Sequence, residues 1–154
     1  MNVLEFLDEH HSTYQVIDHT AAYSALRMAE AVHVSGDMVA KSVVLKAGHG
    51  FCYFLVVVPA TSRVDLEKIR ATMGLDEIEL ASEQEVAAQC RDCEVGAMPP
   101  FGSQLGMETI IDESLSSSEE IVFEGNSHQQ AIRMKYRDYY QLEHPLIVRI
   151  ATHI

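Results

Sequence analysis

Val39-Ala40-Lys41-Ser42-Val43-Val44-Leu45-Lys46-Ala47-Gly48-His49-Gly50-Phe51-Cys52-Tyr53-Phe54-Leu55-Val56-Val57-Val58 is the stretch that decides the fold. Two dense apolar runs, Val39 to Ala47 and Phe51 to Val58, flank a Gly-His-Gly turn, and the pattern predicts a hairpin. The second run has no polar alternation. A strand of that kind is buried on both faces and belongs in the middle of a sheet.

Helical and strand-like segments alternate on either side. Asn2 is placed to cap a short helix with Val3, Leu4, Phe6 and Leu7 on its apolar face. Tyr14 to Ile17 reads as a strand, and Ala21 to Val32, after Thr20, as a helix broken by Ser35-Gly36-Asp37. Ser62 or Asp65 opens a helix that runs through Met73 and stops at Gly74. Ile78 to Ala81 is a short strand, and Ser82-Glu83-Gln84-Glu85 is a capping box for a helix to about Cys90. Thr109 to Asp112 and Ile121 to Phe123 read as strands joined by a Ser/Glu-rich turn. Ala131 to Met134 then reads as a strand, Lys135 to Leu142 as a helix and Ile147 to Ala151 as a last strand. The sum is a mixed α/β chain: one domain over residues 1–154, with a curved mixed sheet surrounded by helices.

Composition narrows the function classes. Apolar residues make up 47% of the 154, enough for a packed core. No apolar run approaches the roughly 20 residues that cross a bilayer, and the N-terminus does not read as a signal peptide. Three cysteines argue against a disulfide framework and suit a reducing, cytoplasmic setting. A net charge of −12 argues against holding nucleic acid by broad phosphate neutralisation.

Several stretches could carry chemistry. In Gly96-Ala97-Met98-Pro99-Pro100-Phe101-Gly102, prolines fix the backbone and glycines let a ligand approach it. The N–H groups of Ala97 and Met98 would be left to face an incoming oxygen. The plain alternative is a tight connection between a helix and a strand. Lys41, at the start of a strand, could reach a pocket beside the sheet and hold negative charge; alone it reads as a surface lysine. His128, after Gly125-Asn126-Ser127, could bind substrate or simply be a solvated turn histidine. Asp112 could bond a substrate amine or cap the turn after it. Cys90-Arg91-Asp92-Cys93 lacks further ligands at zinc spacing and lies at a helix end, so it reads as two small residues there. No metal or cofactor is expected. The sequence carries no Gly-x-Ser-x-Gly, phosphate-binding Gly-rich loop or His-Glu-x-x-His, and no nucleophile and base pair.

The ordered set of stretches resembles a known family. It runs Ala40-Lys41-Ser42-Val43-Val44-Leu45, Arg63-Val64-Asp65-Leu66, Val95-Gly96-Ala97-Met98-Pro99-Pro100-Phe101-Gly102, Ile111-Asp112-Glu113-Ser114 and Glu124-Gly125-Asn126-Ser127-His128. From about His19 to Leu142 it is similar to the YbaK/ProX superfamily, which includes the editing domain of bacterial prolyl-tRNA synthetase. Gly96-x-x-x-Pro100 matches that family's GxxxP loop, and Lys41 falls at its lysine.

The resemblance implies a trans-acting aminoacyl-tRNA deacylase that hydrolyses the ester of mischarged tRNA. Lys41 and Gly96 would be the catalytic positions, with Ala97, Met98, Pro100, Phe101, Gly102, Asp112, Gly125, Asn126 and His128 binding substrate. The attacking group would be water or a tRNA hydroxyl. The partner would be the acceptor end of aminoacyl-tRNA, engaged near Lys41 and Lys46, with an aminoacyl-tRNA synthetase as a further partner. Arg133-x-Lys135-x-Arg137 is the other basic cluster and reads as an exposed face. A non-catalytic tRNA- or nucleotide-binding module on the same fold is the alternative, which the acidic charge supports.

Overall fold

The structure is a computed structural model and describes residues 1–48 and 52–153. In chain order the elements are α1 (Val3–Glu9), β1 (Gln15–Asp18), α2 (Ala25–Ala31), β2 (Ala40–Ala47), β3 (Cys52–Pro59), β4 (Ser62–Val64), α3 (Leu66–Met73), β5 (Ile78–Leu80) and α4 (Glu83–Gln89). There follow β6 (Glu108–Asp112), α5 (Glu113–Ser116), β7 (Glu120–Glu124), β8 (Gln130–Lys135), α6 (Tyr136–Glu143), β9 (Leu146–Val148) and β10 (Ala151–His153). Among the described residues no helix is long and apolar enough to cross a membrane.

The Val39–Val58 stretch behaves as its pattern demands. β2 and β3 pair antiparallel from Ala40↔Pro59 to Ala47↔Cys52. The predicted Gly48-His49-Gly50 turn, and Phe51, reach outside the described residues. β3 is the central strand of a five-stranded mixed sheet ordered β5-β2-β3-β6-β9, antiparallel to β2 and parallel to β6. Its period-2 alternation explains the unbroken apolar run. Leu55 and Val57 face one core cluster, with Phe6, Phe101, Phe123 and Tyr139. Phe54, Val56 and Val58 face another, with Ile69 of α3.

The sheet is mixed as expected, but the strands form three sheets. β1-β8-β7 is a separate antiparallel sheet and β10-β4 a two-stranded one. An isolated bridge, Val39↔Val122, links the start of β2 to β7. Thr109–Asp112 and Ile121–Phe123, expected to be joined by a turn, therefore lie in different sheets, and the link between them includes the single helical turn α5. The expected last strand is two strands, because Ile150 points into the core and Asp112 Oδ1 takes the N–H groups of Ile150 and Ala151, at 2.9 Å each.

Helix ends follow local chemistry. Asn2, Asp65 and Ser82 cap α1, α3 and α4, the last with its full capping box, and Gly74 closes α3 in the left-handed region. α2 is the exception, since it begins at Ala25, not Ala21. Ala22 donates its N–H to His128 O at 2.9 Å, and the Ser24 side chain accepts from Arg27 N–H as the real cap. That tie draws the segment before α2 across the Gly125–His128 turn.

One expectation about the cysteines is corrected. Cys90 and Cys93 are joined as a disulfide, while Cys52 is free and exposed. Backbone geometry at the end of α4 brings the two Cα atoms to 5.5 Å, within bonding range.

Candidate active site

β2 has one covered edge and one partly open edge. β3 pairs with all of it, whereas β5 on the other side pairs only with Leu45–Ala47. Between the Val39↔Val122 bridge and the bond from Ala81 N–H to Val44 O, no strand among the described residues covers that edge. A cavity of about 260 Å³ opens there. Its wall combines Lys41, Ser42 and Val43 of β2, Gly96 and Met98 of the Gly/Pro loop, Glu124 of β7, and Tyr23 and Met28 around α2. Lys41 and Gly96, 55 positions apart in the chain, thus share one cavity. A second cavity of about 270 Å³ adjoins it through Ser42, Val43, Gly96 and Met98, and adds the apolar Leu80, Val86 and Val95.

Lys41 Nζ donates to Ser62 O at 2.7 Å, and burial lowers the pKa of its ammonium. It is a half-buried cation with no carboxylate bound to it among the described residues. Lys46 is different. Its ammonium is bound to Glu79 and Glu85, so it is not available to phosphate as expected.

The Gly/Pro loop divides into two halves. Gly96 has φ +84°, in the left-handed region, and lies over the His128 ring: a Cβ there would stand 3.5 Å from His128 Cε1. Gly96 and Met98 form the cavity side. The other half is core. Ala97 and Phe101 are fully buried, and Phe101 makes edge-on contacts with Phe6, Phe123 and Tyr139. Tyr139 Oη donates to Pro100 O at 2.6 Å, and Gly102 N–H donates to Thr109 Oγ1 at 3.0 Å. Pro100, Phe101 and Gly102 anchor the loop and do not line the cavity. Ala97 N–H donates to Glu94 O at 3.0 Å and is not free for an oxyanion. Met98 N–H has no acceptor among the described residues.

His128, expected to contact substrate, lies behind the loop. Its Nε2 is 2.6 Å from Val95 O, and its backbone N–H donates to Glu94 Oε2 at 3.2 Å. The histidine therefore clamps the segment that leads into Gly96. Asn126 is a clasp on the N-terminus: Oδ1 accepts from Val3 N–H at 3.0 Å, and Nδ2 donates to Met1 O at 2.7 Å. Gly125 is packed against Ile132 and Gln130, which a Cβ would crowd at 3.2–3.3 Å. Asp112 caps α5 through Ser114 and holds Ile150 and Ala151. Burial raises its pKa, but those hydrogen bonds outweigh it and leave the carboxyl below its ordinary range. The capping alternative is the one that holds for Asp112. These four residues, His128, Asn126, Gly125 and Asp112, shape the scaffold and none lines the cavity.

Sequence alone assigns no role to Glu124, which lines the cavity and is 8% exposed. Burial, with a contribution from Glu94, pushes its carboxyl up to about 8. The available signal was a carboxylate ending the apolar run Ile121-Val122-Phe123, directly before the Gly125–His128 turn. Tyr23 was also missed. It is 76% exposed and its ring centroid lies 5.0 Å from that of His128, at the cavity mouth.

Comparison with known proteins supplies the family. The profile of the aminoacyl-tRNA editing domain matches residues 19–142, the span that contains the whole cavity wall described above. The chain belongs to the aminoacyl-tRNA editing domain family. The editing-domain architecture recurs in solved structures that share the fold. The hypothetical protein APE2540 is 17% identical, with a TM-score of 0.87 over 97% of this chain and 99% of that one. A protein described as a candidate trans-editing enzyme for prolyl-tRNA synthetase is 22% identical, with a TM-score of 0.84 over 97% and 94%. A scaffold used for grafting linear epitopes is 23% identical, with a TM-score of 0.84 over 97% and 95%. No curated protein matches this chain.

Proposed function

We propose that this chain, as one editing domain over residues 1–154, is a trans-acting deacylase that hydrolyses the ester of mischarged tRNA. The observation that carries this reading is the convergence of Lys41 with the Gly96 and Met98 backbone across one cavity, at the open edge of β2. An activated ester needs positioning and charge stabilisation more than a strong nucleophile. Lys41 supplies a desolvated cation for the terminal nucleotide or for developing negative charge. Met98 N–H is the backbone donor suited to the oxyanion, in place of Ala97. The adjoining apolar cavity, walled by Leu80, Val86 and Val95, suits the base of the terminal nucleotide. The nucleophile is water or a hydroxyl of the tRNA itself. The cysteine closest in character to a nucleophile, Cys52, is exposed and outside both cavities.

The partner is the acceptor end of aminoacyl-tRNA, with an aminoacyl-tRNA synthetase as the source of mischarged substrate, in the cytoplasm. Release of amino acid from a panel of mischarged tRNAs, by wild type and Lys41→Ala, tests the reading. It fails if the wild type clears none of them. The net charge of −12 favours a second reading, a binding module on the same fold. Retained tRNA binding without turnover would select it.

A further inference from the structure

Glu124 has no part in the reaction as described so far, yet it lines the same cavity as Lys41. Its Oε2 is sealed from solvent without a hydrogen-bond partner among the described residues, 3.4 Å from the equally sealed His128 Nδ1. His128 Nε2 faces Val95 O, which can only accept, so Nε2 carries a proton. His128 Nδ1 and Glu124 Oε2 therefore face each other, buried, with no hydrogen bond to any described residue. With Oε2 sealed against His128, Oε1 is the oxygen that Glu124 offers to the cavity.

The charges around this carboxyl are few. Glu94, which accepts from His128 N–H, adds negative potential. Tyr23 stands at the mouth, and Lys41, the cation of the cavity wall, is directed at Ser62 O. A buried carboxyl in this setting lacks a cationic partner, and an incoming cation supplies one. An aminoacyl nucleotide has a matching pair of ends, an ammonium on the amino acid and a phosphate on the nucleotide. A cavity of about 260 Å³ that presents both an acid and an ammonium accommodates the junction between them.

We propose that Glu124 is the receptor for a primary ammonium group of the aminoacyl ester that occupies the Lys41 cavity. The proposal rests on the deacylase reading for the identity of the ligand, and it names the chemistry the pocket selects. When the ammonium reaches Oε1 the carboxylate form is favoured, and the carboxyl gives up its proton to water. No bond other than that O–H is broken and no co-reactant is needed. The ammonium is either the α-ammonium present in every aminoacyl ester or one carried by the side chain.

Binding of amide-linked, non-hydrolysable aminoacyl-adenosine analogues, measured by calorimetry, tests this without requiring turnover. Three analogues are compared: 2-aminobutyryl with a free α-amine, its N-acetyl form, and 2,4-diaminobutyryl. The α-ammonium source predicts that N-acetylation weakens binding to wild type by about tenfold or more. The side-chain source predicts a similar gain for diaminobutyryl over aminobutyryl. In either case Glu124→Gln, which keeps the size of the side chain, abolishes the difference. The proposal is overturned if wild type treats all three alike, or if the variant discriminates as wild type does. Turnover is scored separately on mischarged tRNA. Glu124-dependent binding without turnover leaves the ammonium site standing and removes the deacylase reading; turnover with no Glu124-dependent discrimination does the reverse.

Discussion

Glu124 Oε2 lies 3.4 Å from His128 Nδ1, and neither atom has a hydrogen-bond partner among the described residues. His128 packs against Gly96 and Glu124 lines the cavity, so the pair adjoins the backbone that walls it. It also has a consequence for stability. The Glu124 carboxyl is raised from 4.5 to about 8 in the folded protein, by burial first and by Glu94 second. Below pH 4.5 folded and unfolded chains both hold the proton, and the group makes no difference. Between 4.5 and about 8 only the folded chain holds it, so folding stability falls as pH rises, by at most about 1.4 kcal/mol per pH unit. Glu124→Gln lacks this dependence. Urea unfolding at pH 5 and pH 8 is expected to show the variant gaining on wild type at the higher pH. A difference that stays flat across this window contradicts a buried, proton-holding Glu124.

Lys41 is expected to separate activity from folding. Among the described residues its ammonium bonds only to Ser62 O, and burial disfavours its charge. Removing it trades a lost hydrogen bond against relief of that desolvation, so Lys41→Ala should change stability by no more than about 1 kcal/mol. Loss of a charge-stabilising group from a desolvated site costs about a hundredfold or more in rate. Deacylation kinetics beside thermal unfolding of the same preparations checks both halves. A variant that melts far below wild type would make Lys41 a structural residue.

How much of this is legible in the sequence depends on how local each signal is. The β2 and β3 pair could be read because β-branched runs around a glycine turn specify a hairpin by neighbour chemistry alone. Asn2, Asp65 and Ser82 could be read as caps for the same reason. The split of the strands into three sheets could not, since it depends on long-range pairing such as Val39 with Val122. Nor could the roles of Asp112 and Asn126. Their partners, Ile150 and Ala151 for one and Met1 and Val3 for the other, lie 38 to 125 positions away. Glu124 stayed hidden because a charged residue beside a turn ordinarily faces water. Only tertiary packing shows that this one does not.

The two glycines that bracket the loop should fail differently. Gly96 has φ +84° but open space, with His128 Cε1 at an ordinary 3.5 Å from a built Cβ. Gly96→Ala therefore costs about 1–2 kcal/mol through backbone conformation, and it disturbs the cavity wall directly. Gly102 has an unexceptional φ but no room. A Cβ there would meet Thr109 Oγ1 at 2.6 Å and Met107 O at 3.0 Å. Gly102→Ala should cost at least as much, about 1–3 kcal/mol, by overpacking. Measured per folded molecule, Gly96→Ala is expected to lose about tenfold or more in kcat/KM while Gly102→Ala keeps most of it. Equal losses would place Gly102 in the site after all.

Phe101 and Met98 make a similar contrast for selectivity. Phe101 is fully buried between Phe6, Phe123 and Tyr139, so Phe101→Ala should cost about 3–5 kcal/mol and leave the preference among amino acids unchanged. Met98 lines both cavities, and Met98→Ala enlarges the space on the substrate side. The ratio of rates for larger over smaller mischarged amino acids is expected to rise for Met98→Ala alone. Competition between two mischarged tRNAs in one reaction reads that ratio. A shift caused by Phe101→Ala at native-like stability would return Phe101 to the pocket.

Salt dependence tests how a chain of net charge −12 holds a polyanion. Lys46 is committed to Glu79 and Glu85, Arg133 to Glu120, and Arg137 lies 3.9 Å from Asp138. Among the described residues Lys41 is the Lys or Arg in the cavity wall, so about one or two phosphates are neutralised there. The slope of log(kcat/KM) against log salt for a single-stranded acceptor end should be about −1, since each neutralised phosphate contributes roughly −0.7. Neutralising Arg133, Lys135 and Arg137 together should leave that slope unchanged, whereas Lys41→Met should flatten it. The comparison uses subsaturating substrate, because a slope measured at saturation reports chemistry and not capture. A slope several times steeper, or one that collapses with the triple substitution, would mean that the acceptor end is held by the β8 and α6 face and not by the cavity at the edge of β2.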